Sequence, residues 1–277
     1  MMKKKVLKIT AFVVALALIA GIAVFANALV GNPISKLLAQ NSAERHIEEN
    51  YADTDFYVER VSFSFKDTRY HAYIKSPSSV DSHFTIYMDM LGRVEFDFYE
   101  DDVLNGWNTA DRIGTDYRKQ VDAILDSPSF PYTCDIGYGD IEFIPEEYAD
   151  NPDVPSYALH IEDLELDGIY NLAELGSQAG HLVLYVTEDT LSFERAAEIM
   201  LDIRRIMDDA GVGFYAMDFV LEYPRNEDGT RNSEDQIDVN NFLYEDIYEE
   251  GMVERVIAAD KATKEYYAEM DKLKFGE

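Results

Sequence analysis

The residues able to do chemistry are numerous but poorly organised. Five histidines and one cysteine accompany 54 Asp+Glu against 24 Lys+Arg, for a formal charge of -30. His46, His71, His83, His160 and His181 show neither H-x-x-x-H nor H-E-x-x-H spacing, so the sequence holds no zinc-binding helix. His71 and His83 fall on neighbouring predicted strands but about three residues out of register, which argues against joint ligation. A lone Cys134 excludes an internal disulfide and a Cys-built zinc site, and on the apolar side of a predicted strand it reads as a small buried hydrophobe. Ser78 and Ser79 lie in a turn without the G-x-S-x-G elbow that would activate a serine nucleophile.

Acids offer more material and less selection. Asp101-Asp102 and Glu146-Glu147 are adjacent pairs, but so many carboxylates create pairs by chance, and no glycosidase-type dyad stands out. Asn226, Asp228, Gly229 and Asp235 mimic part of a calcium loop, yet its first position would be Pro224, which has no ligand to give, so a plain turn is expected. Asp163, Glu165 and Asp167 alternate before Gly168 without the rest of such a loop. Asp218 is more specific, because it interrupts a strand otherwise apolar on both faces, where a carboxylate needs a partner. Nineteen tyrosines include Tyr73 and Tyr87, which fall on the more polar strand faces, as does Tyr57, where an amphipathic ring suits a contact surface. Tyr73, Tyr87 and Asp218 are therefore the candidate binding residues. The sequence names no catalytic residue, metal ligand or cofactor.

These groups must be positioned by a chain with two parts of very different polarity. Lys3, Lys4, Lys5 and Lys8 precede 22 uncharged residues, Ile9 to Val30, a run long enough to span a bilayer. A cleaved signal peptide is the alternative, since Ala26-Asn27-Ala28 fits an A-x-A cleavage pattern. The lysines favour the cytoplasmic side, so a single-pass topology is expected, with residues 1–8 inside and the bulk outside the cell membrane. The strongly anionic remainder would repel nucleic acid and attract cations or a basic partner.

Beyond the apolar run the pattern is α+β. Asn32-Pro33 opens a helix to about Asn50. Alternating runs follow at Phe56–Phe65, with a phase slip near Glu59-Arg60 that signals a β-bulge, then at Tyr70–Ile74, Phe84–Met90 and Val94–Phe98. They read as an antiparallel meander with one apolar face. Val103, Trp107, Ala110, Gly114, Tyr117, Val121 and Ile124 mark one long helix, with Gly106 and Gly114 at sites of close packing. Pro128 then ends a first domain, 31–127, and a second occupies 128–277.

In the second domain Cys134–Ile144 is strand-like and Asn171–Gln178 a short helix. Leu182–Val186 is continuously apolar and reads as a strand covered on both faces. A Ser192-capped helix to Gly211 and a strand over Phe214–Tyr223 complete a βαβ crossover, whose strands should be parallel. Ser233-Glu234-Asp235-Gln236 reads as a capping box for a helix to about Glu250, followed by a last helix over Met252–Leu273.

Several stretches resemble the YfjL-like family of Gram-positive bacteria. They include Ala43–Tyr51, Ser62–Asp67, Tyr73–Ser79, Asp89–Arg93, Asp101–Thr109, Ala179–Val183 and Tyr244–Gly251. The resemblance implies a membrane-anchored, uncharacterised protein and hands over no catalytic residue. The helix-then-strands order of the first half is also similar to PepSY and cystatin-like modules, which implies an inhibitory or regulatory role outside the membrane. The sequence reading is thus a non-catalytic binding or regulatory module of the cell envelope, with an envelope protein as partner. An extracytoplasmic hydrolase using acidic residues and a divalent-cation-binding structural protein are its alternatives.

Overall fold

Asn32 starts the first folded helix in the way its position suggests. Its side-chain oxygen accepts the Ser35 N–H at 2.7 Å, and Pro33 occupies the first turn, where no N–H is required. The computed structural model describes residues 2–152, 154–233 and 235–275. It divides the chain into two compact units, Met1–Asn108 and Thr109–Glu277.

The first unit holds α1 (Met2–Val30), α2 (Pro33–Asn50) and a sheet of β1 (Tyr57–Ser64), β2 (Arg69–Lys75), β3 (His83–Met88) and β4 (Val94–Asp97). The strands run β1-β2-β3-β4, each antiparallel to the next. Ser35, Ala39, Ala43 and Ile47, one turn apart along α2, are buried, as are the inward residues Tyr70, Ala72, Ile74, Phe84, Ile86 and Met88. Small residues on the helix let it lie close to the sheet. The register of β1 slips between Val58 and Arg60, at the predicted bulge. Asn32→Ala should cost about 1 kcal/mol in denaturant unfolding, because the Ser35 N–H loses its acceptor.

The side chains of α1 are described only in part, those of Lys3–Lys5 and Ala26–Ala28 lying outside the described residues. Among the described residues no helix is long and apolar enough to cross a membrane.

In the second unit α3 (Trp107–Leu125), of which residues from Thr109 belong here, is followed by β5 (Thr133–Ile141), β6 (Phe143–Ile144), β7 (Leu159–His160) and α4 (Leu172–Ala179). Then come β8 (Gly180–Thr187), α5 (Phe193–Ala210), β9 (Ala216–Glu222), β10 (Gln236–Leu243) and α6 (Met252–Phe275). The mixed sheet has the order β10-β9-β8-β5, and β8 and β9, joined through α5, are parallel. Ser192 caps α5 at the Arg195 N–H, 3.1 Å, and Gly211 ends it at φ +72°. Gly139 lets α3 approach β5, since a Cβ there would lie 2.7 Å from Val121 and 3.0 Å from Tyr117. Helix α6 shields β10, one of the sheet's two edge strands, with Asp260 accepting the Asp238 N–H at 2.9 Å and Thr263 the Asn240 N–H at 3.2 Å.

Several expectations change. The compact units part at 108/109 rather than after Ser127, because Ile113, Tyr117 and Val121 are buried in the second unit's core. The single long helix is broken: Glu100–Leu104 is a π-helical turn, and Gly106, at φ +78°, is a joint before α3. Gly114 does mark close packing, a Cβ there lying 2.6 Å from Asp140 Oδ1.

Residues 236–243 form a strand, not a helix. Ile237 and Val239 alternate with Asp238 and Asn240, and that period of two outweighs the capping-box signal, whose Glu234 lies outside the described residues. Strand β8 is covered fully on one face only, with Leu182, Leu184 and Val186 buried and His181, Val183 and Tyr185 half-buried. Phe96 and Phe98 do not join the buried face of the meander. They pack on its outward face around Tyr87.

Candidate functional site

The outward face of the first sheet is built by alternation. With the inward residues of β2 and β3 committed to α2, the intervening His71, Tyr73, Thr85 and Tyr87 point away from it, and pairing sets His71 opposite Tyr87 and Tyr73 opposite Thr85. Tyr87 stacks on Phe96, with centroids 4.8 Å apart and planes at 15°, while His71 at 4.3 Å and Phe98 at 5.3 Å complete an aromatic cluster. Burial raises the Tyr87 phenol's pKa, and the Asp67 charge adds to this, so the ring stays neutral and its hydroxyl can donate. The Arg60 guanidinium lies 4.0 Å over the Tyr73 ring, and that of Arg69 5.6 Å over Phe96. The two candidate tyrosines thus share one face, each with an arginine on its own ring or on a ring it touches.

Asp218 lies in the second unit and is not buried between covered faces. It sits on the more open face of the mixed sheet, and a β-bulge explains its place. Register between β10 and β9 slips between Val239 and Phe242, Asn241 adopts φ +51°, and Asp218 Oδ1 accepts the Asn241 N–H at 2.6 Å.

The same carboxylate lies 3.1 Å from His181 Nε2, whose Nδ1 is 3.2 Å from both Glu142 Oε1 and Tyr157 Oη. Tyr157 in turn donates to Asn241 Oδ1 at 3.1 Å. Burial opposes a charge on His181, but the Asp218 and Glu142 carboxylates outweigh it and lift its pKa to about 9. At neutral pH it is therefore an imidazolium, with no lone pair to take a proton or bind a metal. The cluster ties the segment after β5 to β8, β9 and β10.

Sequence reasoning named Asp218 but missed His181, Glu142 and Tyr157. The available signal was a histidine leading an otherwise apolar strand, one position before Leu182. His71 stands opposite Tyr87 and His83 opposite Lys75, so the two are not neighbours. Among the described residues no group of three or more His, Cys, Asp or Glu could hold a metal ion. Asn226–Thr230 is a turn, with Asp228 accepting the Thr230 N–H at 3.0 Å and Gly229 at φ +82°. Burial pushes the Cys134 thiol up to about 11, so it is not a nucleophile at neutral pH.

The sequence was compared with known proteins. None of the curated proteins matches. Among solved structures, a DUF5037 family protein from Ruminococcus gnavus ATCC 29149 is similar, at 15% identity over 69% of this chain and 76% of that one, with a TM-score of 0.21. One family model, described as the YfjL-like N-terminal domain, matches residues 3–97, and a second, the YfjL-like C-terminal domain, matches residues 116–257. With a domain of each kind in the expected order, the chain belongs to the YfjL-like family.

Proposed function

We propose that this protein is a membrane-anchored, extracytoplasmic binding or regulatory module of the cell envelope, without catalysis of its own. It acts through the outward face of its first sheet on an envelope protein. The observation that carries the reading is the Tyr87–Phe96–Phe98–His71 cluster with its flanking arginines. Aromatic rings and guanidinium groups on a rigid sheet are the residue types that anchor protein interfaces.

Anchoring rests on α1. Ile9–Val30 carries no charge, and the described side chains of Phe12, Leu16, Ile19, Ile22 and Phe25 are exposed, which lipid would tolerate and water would not. As a sequence, the 22 uncharged residues of Ile9–Val30 exceed the ~20 that a membrane-spanning helix needs. The four lysines before the run set the bulk of the chain outside.

Photoreactive phenylalanine analogues at Tyr73 and Tyr87, in intact cells, test the binding role. The same protein adduct is expected from both positions and none from Tyr266, an exposed residue on α6. No adduct from the sheet face, or one pattern from all three sites, would contradict it.

A further inference from the structure

Because a meander alternates direction, the β1–β2 turn (65–68) and the β3–β4 turn (89–93) lie at one end of the first sheet. The start of α2 is fastened to that same end. Tyr70 Oη accepts the Asn32 N–H at 2.9 Å and donates to the Asn32 carbonyl at 3.1 Å. Gly31, at φ +72°, packs against Phe63 and Tyr70, where a Cβ would lie 2.9 Å from the Phe63 ring. Gly92 lies against the Leu38–Ala39 backbone, at a distance of 2.8 Å for a Cβ. The two-residue joint after α1 therefore opens directly onto two hairpin tips and the first turns of a helix.

Apolar side chains crowd this end without cover from the described residues of the unit. Ile34 is 74% exposed, Leu37 62%, Leu38 44%, Phe65 60% and Leu91 62%. Exposed Lys36, Lys66 and Arg93 stand among them. The carboxylates of the two turns are engaged internally, Asp67 with His71 at 2.8 Å, and Asp89 with Arg93 at 2.7 Å and with the Leu91 and Arg93 N–H groups. Glu95, the nearby acid on β4, is paired with Arg69. In a chain of net charge -30, basic and apolar groups here alternate on one surface.

We infer that this end is a membrane-seated collar. Phe65, Leu91 and the Ile34–Leu38 turn enter the acyl boundary of the bilayer, while Lys36 and Lys66 meet anionic headgroups. This rests on the anchoring role of α1 proposed above. Continuity with α1 selects a lipid surface as the occupant, because a helix leaving the bilayer two residues earlier holds these side chains at headgroup depth. Charge complementarity selects anionic lipid, and the mixture of apolar tips and snorkelling cations is the composition that interfacial segments carry.

The test uses the full chain in phosphatidylcholine vesicles containing phosphatidylglycerol and brominated lipid. Trp107 is the single tryptophan. In a Trp107→Phe background, Leu91→Trp should lose fluorescence to the bromines, because a ring at the acyl boundary lies within their reach. Val80→Trp, on the β2–β3 loop at the opposite end of the sheet, should lose none. Lys36→Glu with Lys66→Glu should weaken the Leu91→Trp quenching. Phe65→Trp repeats the measurement should Leu91→Trp disturb its turn. If carbonate washing leaves the chain in the vesicles but neither tip is quenched, the collar is overturned and the anchor stands. Blue-shifted but unquenched emission would mean that protein, a second copy included, covers the surface, which also overturns it. Release by carbonate would overturn the anchor itself.

Discussion

Replacing Gly176 by alanine is expected to destabilise the second unit by about 2 kcal/mol or more, although the substitution normally strengthens a helix by ~1 kcal/mol. The cause is a backbone meeting. A Cβ on Gly176 would fall on the Gly213 carbonyl oxygen and 2.8 Å from the Tyr117 ring. Tyr117 is buried, and its hydroxyl donates to that same carbonyl at 2.8 Å. Neither group can move alone, so α4 must lift from the loop before β9, losing core contacts. Gly114→Ala is the contrasting case, because its Cβ would meet only the end of the Asp140 side chain. Denaturant unfolding of both variants checks this, with Gly114→Ala expected within about 1 kcal/mol of the parent. Equal losses would show that backbone contact is not what makes Gly176 necessary.

Raising the pH from 6 to 9.5 should remove a stabilising contribution that belongs to His181. Its pKa is about 9 in the folded chain and ~6.5 for an unperturbed imidazole. A group with a raised folded pKa binds its proton more tightly in the folded state. Its contribution is therefore complete below pH 6.5 and is lost as pH rises through 9. The difference corresponds to about 3 kcal/mol, with the side chain 14% exposed and little screened. Unfolding free energies measured across that range should fall for the parent. His181→Gln should start lower and fall much less. Parallel profiles would mean that Asp218 and Glu142 do not hold the proton on His181.

Local signals carried much of the fold. A residue pair, Asn32-Pro33, was enough to start α2, and a two-residue phase slip located the bulge in β1. The buried stripe of α5, its Ser192 cap and its Gly211 stop were equally legible, because helix period and helix ends are written within one short segment. What failed depends on distant partners. Ser233–Gln236 imitates a helix start, and only pairing with β9 makes the following residues a strand. Phe96 has the pattern of a core residue, yet the face it joins is decided by the irregular register between Tyr87 and Met88.

The polar cluster shows the same divide. Asp218 announced itself by interrupting an apolar run, but the rest of its cluster lies on two other strands and in two loops. Glu142 is 39 residues from His181 in sequence, and no spacing rule reaches that far. The aromatic face was half legible, since strand alternation placed Tyr73 and Tyr87 together, whereas the stacking of Phe96 on Tyr87 required the fold.

Everything proposed about function depends on which side of the membrane the two units occupy. Protease added to cells stripped of their wall measures this directly. The account predicts digestion of the chain down to a fragment containing α1, without any need to permeabilise the membrane. A full-length chain that survives in intact cells and is cleaved only after permeabilisation would contradict it.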